Sequence, residues 1–149
     1  MNAQSRQDIV IDARTGRVDG ASATERMAIM VLRSAMFFLK PIANVGISYI
    51  ARATRTLLPS NKTMLFVLTP DSRMRADYCD AYWSVLLSPQ YKYERSVMAL
   101  LKSSRDVDYG FIDGGANHGY WSILVSGKEF GSKKAVAIEA ASDTFARLD

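Results

Sequence analysis

Apolar and polar positions change period several times along the chain, and each change marks the border of an expected element. Residues 1–21 are polar, carry Gly16 and Gly20 and show no apolar period, which predicts a mobile leader. Ser22-Ala23-Thr24-Glu25 has the spacing of a capping box, so a helix is expected to begin there. Met27 to Leu39 is apolar almost all round, while Arg26, Arg33 and Lys40 recur every seventh residue and so fall in one narrow basic stripe. Pro41 ends or kinks that helix. Beyond it, Ile42, Val45, Tyr49, Ile50, Ala53 and Leu57 fall near helical spacing and predict a second amphipathic helix over Ile42 to Leu58. Pro59-Ser60-Asn61 is turn chemistry, and Met64 to Thr69 is short enough to be a strand before Pro70-Asp71-Ser72. Arg73 to Gln90 gives no clear period; Tyr78, Tyr82 and Trp83 in it read as packed aromatics, with a substrate platform as the alternative.

The second half is more regular. Tyr93, Val97, Leu100 and Leu101 lie on one face of an expected helix, with Glu94, Arg95 and Lys102 elsewhere. Tyr109 to Asp113 then predicts a strand entering a glycine-rich turn, Tyr120 to Phe130 a helix, and Gly131-Ser132-Lys133 a break. Ala135 to Ala140 predicts a buried-type strand, and Ser142 is expected to cap a further helix. Strand, glycine turn, helix, strand and helix in that order open a parallel α/β sheet. The organisation expected is therefore a leader over 1–21, a helical extension with one short strand over 22–90, and the first half of an α/β domain over 91–149.

Charge sharpens this division. Residues 1–60 hold eight Lys/Arg against four Asp/Glu, and the remainder eleven against eleven, so the net charge of +4 belongs to the N-terminal segment alone. A nucleic-acid surface would need its cations on the part that carries the chemistry, and no nucleic-acid partner is expected. A single cysteine, Cys79, and a single histidine, His118, exclude an internal disulfide and a multi-Cys or His-rich metal centre in this chain, so no metal is expected. No signal-peptide pattern stands at the start, which makes cytoplasmic the expected location. Two readings of residues 22–58 stay open: a helical cap on the α/β domain, or a peripheral contact with an anionic membrane. The apolar run from Met27 to Leu39 is too short to span a bilayer, which needs about twenty such residues.

The candidate chemistry lies in Phe111-Ile112-Asp113-Gly114-Gly115-Ala116-Asn117-His118-Gly119, at the carboxyl end of a strand and the start of a helix, where α/β sheets bind their ligands. A phosphate-cradling loop would need Lys-Ser/Thr after Gly119, and Tyr120-Trp121 stands there. A dinucleotide fingerprint would need a second glycine where Asn117 stands. What remains is an acid at the strand end followed by glycines, namely Asp113, Gly115 and Gly119, and a carboxylate there attracts an ammonium group where it would repel a pyrophosphate. Glu139 follows about twenty residues past the turn, the place of an acid that bonds ribose hydroxyls. Alone, a glycine turn is more often structural, His118 more often an ordinary loop residue, and Cys79 more often a small buried residue than a nucleophile.

Phe111 to Ser122 resembles the D-x-G-A-N-x-G-x-x-S signature of FkbM-family methyltransferases, and Tyr93-Glu94 ahead of it is also similar to that family. The likeness covers roughly Tyr91 to Leu148 and departs from the family where Ala140-Ala141 replaces a frequent proline after the acid. It implies a class I, Rossmann-like fold using S-adenosyl-L-methionine, with Asp113, Gly115, Ala116, Asn117 and Gly119 lining its methionine and ribose and Glu139 holding the ribose diol. It implies methyl transfer to a hydroxyl of a small molecule or glycan, with no catalytic residue identified here. Since a class I sheet has about seven strands and only its first two are visible, the chain is expected to be the front of a longer enzyme and inactive by itself. The alternative from another class is a non-catalytic protein whose N-terminal helices bind a partner or a membrane.

Overall fold

The computed structural model describes residues 8–146 and Leu148. It is a mixed α/β protein with one four-stranded mixed sheet and one parallel pair of strands. The chain divides into two compact units, one comprising Met1–Phe66 and Arg75–Tyr91, the other Val67–Met74 and Lys92–Asp149.

In the first unit the described part of the expected leader is ordered into strands. Of the expected leader, residues 1–7 lie outside the described part, but the rest forms strands β1 (Ile9–Asp12) and β2 (Val18–Asp19), paired antiparallel. Ile9 and Ile11 point into the core and are fully buried, because the short Ile9-Val10-Ile11 run alternates faces as a strand does. Asp12 closes the connecting turn by accepting the Arg14 and Thr15 amides. Asp8, just before β1, accepts from the Thr63 hydroxyl and the Arg75 guanidinium.

Helix α1 (Ala23–Leu39) starts at the expected capping box: Ser22 Oγ accepts the Glu25 amide, and Glu25 Oε2 accepts the Ser22 amide at 2.7 Å. Its buried face is Ala28, Ile29, Leu32 and Met36. A short 3-10 turn at Lys40–Ile42 follows, and helix α2 (Ile47–Leu57) starts only after Gly46, five residues later than the apolar spacing suggested. Ile47, Ala51 and Thr54 are its buried positions, while Ile42, Val45, Tyr49 and Leu57 are exposed. The basic stripe is also revised, since Arg33 is tied inward by Nε to the Leu87 carbonyl at 2.9 Å and Nη2 to the Gly16 carbonyl at 2.6 Å. Burial lowers its pKa, yet the fork remains matched to two carbonyl acceptors.

Strands β3 (Thr63–Thr69) and β4 (Ser72–Asp77) form a hairpin whose turn end, Val67–Met74, belongs to the second unit; the segment expected to hold one strand therefore holds two, and the sheet runs β2-β1-β3-β4. In β4 the buried Ser72, Met74 and Ala76 alternate with exposed Arg73 and Arg75. A 3-10 segment at Trp83–Leu87, buried throughout, belongs to the first unit; Tyr78 and Trp83 are buried there, as expected, whereas Tyr82 is half exposed. No helix among the described residues is long and apolar enough to cross a membrane.

In the second unit, helix α3 (Arg95–Ser103) buries Leu101, while Leu100, expected on the same face, is exposed. Strands β5 (Phe111–Gly114) and β6 (Ala135–Ile138) pair in parallel, with Asp113 opposite Ala137, and helix α4 (Tyr120–Ser126) connects them with a 3-10 turn at Lys128–Phe130. Leu124, Val125 and Phe130 fill the space between. Gly131 is dictated by crowding as well as by its φ of +87°, because a Cβ there would sit 2.1 Å from the Arg105 carbonyl oxygen. Helix α5 (Ser142–Phe145) ends the described part; its N-cap is Ala141, not Ser142. One face of the β5–β6 pair is bare: Ile112 is 72% exposed, and Val136 and Ile138 are also exposed.

Candidate cofactor site

Sequence dictates the shape of the turn between β5 and α4. Gly115, Asn117 and Gly119 all take left-handed backbone angles, φ +76°, +53° and +73°, a conformation open to glycine and tolerated by asparagine. These alternating reversals fold the loop over the end of β6, where the Ile138 carbonyl accepts both the Gly115 amide at 2.8 Å and the Ala116 amide at 3.0 Å. The Gly119 amide returns to the Ala116 carbonyl at 2.7 Å, and Ala116 is buried beneath the loop. Gly119 then stands as N-cap of α4.

Asp113 is buried at the carboxyl end of β5. Its Oδ2 accepts both the Ser122 amide at 3.1 Å and the Ser122 hydroxyl at 2.8 Å. Ser122 is the third residue of α4, so the carboxylate satisfies one of the free amides of the helix start and meets the positive end of its dipole. Both bonds fall on one oxygen, which fixes the carboxylate plane and leaves Oδ1 as acceptor capacity.

Glu139 follows β6 directly. Its Oε1 accepts the Ala141 amide at 2.8 Å and its Oε2 the Asn117 amide at 2.9 Å, so it is drawn against the glycine turn from the neighbouring strand. The hydrogen bond from Ala141, then that from Asn117, hold its pKa below the usual carboxylate range, and it is charged at neutral pH. The Asn117 side chain turns the other way, with Oδ1 2.6 Å from Nδ1 of the buried His118. A Cβ built on Gly114 or Gly115 meets nothing within 4 Å, so open space lies over the outer side of the turn.

All six residues singled out from sequence therefore lie in or against one loop, but in different relations to it. Asp113 and Glu139 are the acceptors, Gly115 and Gly119 the reversals, and Ala116 a buried floor; Asn117 offers its amide to Glu139 and its side chain to His118. Ser122 is not one of those six, although its place nine residues after Asp113, at the end of the stretch from Phe111 that carries the resemblance, is the available signal. Behind the site, Tyr93 stacks edge to face on Tyr120 at 5.0 Å and lies 5.8 Å from Trp121, so the tyrosine ahead of α3 braces the start of α4.

Away from this loop, Cys79 is buried, and that burial pushes its thiol pKa up to about 11, the state of a packed thiol and not of a nucleophile. Set against protein-family models, curated proteins and solved structures, the chain finds no match in any of the three.

Proposed function

We propose that the turn from Asp113 to Gly119, together with Glu139, binds S-adenosyl-L-methionine, and that the protein transfers its methyl group to a hydroxyl of a small molecule or glycan. The observation that carries this reading is the placement of two carboxylates on one glycine turn: Asp113 under it and Glu139 held against it by the Asn117 amide at 2.9 Å. Each is an acceptor with unused lone pairs, which suits the ammonium and ribose hydroxyl donors of that cofactor and disfavours a pyrophosphate. Open space over Gly114 and Gly115 leaves room for a ligand against the backbone. The parallel β5–β6 pair joined through α4 supports reading it as the opening of a Rossmann-like sheet, whose ligands sit at the carboxyl ends of the strands.

In this reading Asp113 orients the amino-acid end through its free oxygen, and Glu139 accepts from the ribose hydroxyls while its other bonds keep it in place. When bound, the cofactor supplies an activated methyl group on sulfur. The contribution of the chain is position, because an in-line displacement depends chiefly on holding donor and acceptor in line. None of the residues described is assigned as the base for the acceptor hydroxyl.

Titration of the protein with S-adenosylhomocysteine, with ATP and NAD as parallel ligands, tests this. Saturable binding of S-adenosylhomocysteine alone is the expected result; preference for either phosphate-bearing ligand, or no binding of any, overturns it.

A further inference from the structure

The connection between α1 and α2 has a surface that neither the fold nor the proposed cofactor site uses. Phe37, Phe38, Ile42, Val45 and Tyr49, five large apolar residues within thirteen positions, are 54–77% exposed, and the two phenylalanine rings meet edge to face at 5.5 Å. The core face of α1 lies elsewhere, on Ala28, Leu32 and Met36. Exposed apolar groups so concentrated cost free energy in water unless something covers them. The charge of the surroundings bears on what covers them. Residues 26–58 contain five cations and no acidic residue. Arg33 is consumed by the Leu87 and Gly16 carbonyls and Arg55 pairs with Asp77 at 3.7 Å, while Lys40 and Arg52 are exposed next to the apolar residues.

We infer that the α1–α2 connection docks on an anionic lipid surface, with Phe37, Phe38 and Tyr49 entering the interfacial layer and Lys40 and Arg52 meeting the headgroup phosphates. Aromatic side chains favour the headgroup level, and basic residues beside an apolar face give an interfacial segment its preference for anionic lipid. A second copy of the chain is the poorer occupant, because a two-fold contact would bring the same acid-free, cationic segment against itself. An acidic protein groove would satisfy the cations but gives no reason for three exposed aromatic side chains, Phe37, Phe38 and Tyr49.

Flotation with vesicles of phosphatidylcholine alone, and of phosphatidylcholine with phosphatidylserine, tests the inference on the full chain. Binding is expected only to the anionic vesicles and to weaken as salt rises. Lys40→Gln and Arg52→Gln should each weaken it about fivefold, and Phe37→Ser with Phe38→Ser roughly tenfold or more. These side chains are exposed, so circular dichroism and melting should be unchanged in all three variants. No binding to anionic vesicles at low salt overturns the inference, as does binding that the phenylalanine variant leaves intact, which would be charge attraction alone. A dimer in sedimentation that Phe37→Ser with Phe38→Ser disperses would assign the surface to a second copy and overturn it equally.

Discussion

Two carboxylates in this protein are both held by backbone amides, and the difference between them separates a structural acid from a candidate binding one. Glu25 in the first unit is buried and fully engaged: it accepts the Ser22 amide, the Ser60 hydroxyl at 2.6 Å and the Lys62 ammonium at 3.0 Å. Burial alone would raise its pKa, but the bonds from Ser60, Ser22 and Lys62 outweigh it and bring the value down to about 2. Glu139 in the second unit is half-buried and is held by backbone amides alone, that of Ala141 on one oxygen and that of Asn117 on the other, with the Ala140 amide also acting on it. A carboxylate can take about four hydrogen bonds, so the buried Glu25 has spent most of its capacity on the fold, with a cation and a hydroxyl among its partners, whereas Glu139 has no side-chain partner among the described residues and keeps acceptor capacity for a ligand.

That contrast fixes an order of effects on stability. Glu25→Ala should be the most damaging, because the drop from an ordinary 4.5 to about 2 corresponds, at about 1.4 kcal/mol per unit, to roughly 3 kcal/mol. A folded-state pKa below the unfolded one stabilises fully above about pH 4.5 and is lost as pH falls toward 2. Urea denaturation followed by Trp83, in a Trp121→Phe background, should show this acid loss in the native sequence and its absence after Glu25→Ala. An unchanged midpoint in that variant would break the contrast.

Asp113→Ala comes next. Loss of the bonds to Ser122 at the start of α4 should cost about 1–2 kcal/mol, the range for a lost helix-start acceptor, and should speed hydrogen exchange at the Ser122 amide. Gly115→Ala should cost about 1 kcal/mol through its left-handed angle alone, since the added methyl meets no atom within 4 Å; a larger loss in thermal denaturation would mean the turn is tighter than it is here. Glu139→Ala should be the mildest, within about 0.5 kcal/mol, because the side chain is only half-buried and water can replace it at the Asn117 and Ala141 amides.

The two units also differ in how much of them the sequence discloses. The turn from Asp113 to Gly119 was legible because its determinants are local: glycines where the backbone reverses, an acid at a strand end, and a second acid one strand later. The capping box at Ser22 and Glu25 was legible for the same reason. By contrast, β1 rests on three β-branched residues inside a polar stretch, and β4 on an alternation whose inward members include Ser72 and Ala76, too weakly apolar to register. In α1 the difficulty is the reverse. A helix apolar on nearly every side does not say which side meets the core, so the exposure of Phe37 and Phe38, and the inward tie of Arg33, needed the neighbouring chain to be seen. Arg33 also shows why spacing alone misleads about a charged stripe, since one of its three members is a structural tie.

Calorimetric titration of S-adenosylhomocysteine into the native protein and into Glu139→Ala tests the central claim most directly. The loss of a charge-assisted pair of hydrogen bonds should weaken binding roughly tenfold or more while the melting temperature stays where it was. Equal affinity in the two proteins, or an affinity loss that merely follows a loss of stability, would contradict the assignment of Glu139 to the ligand.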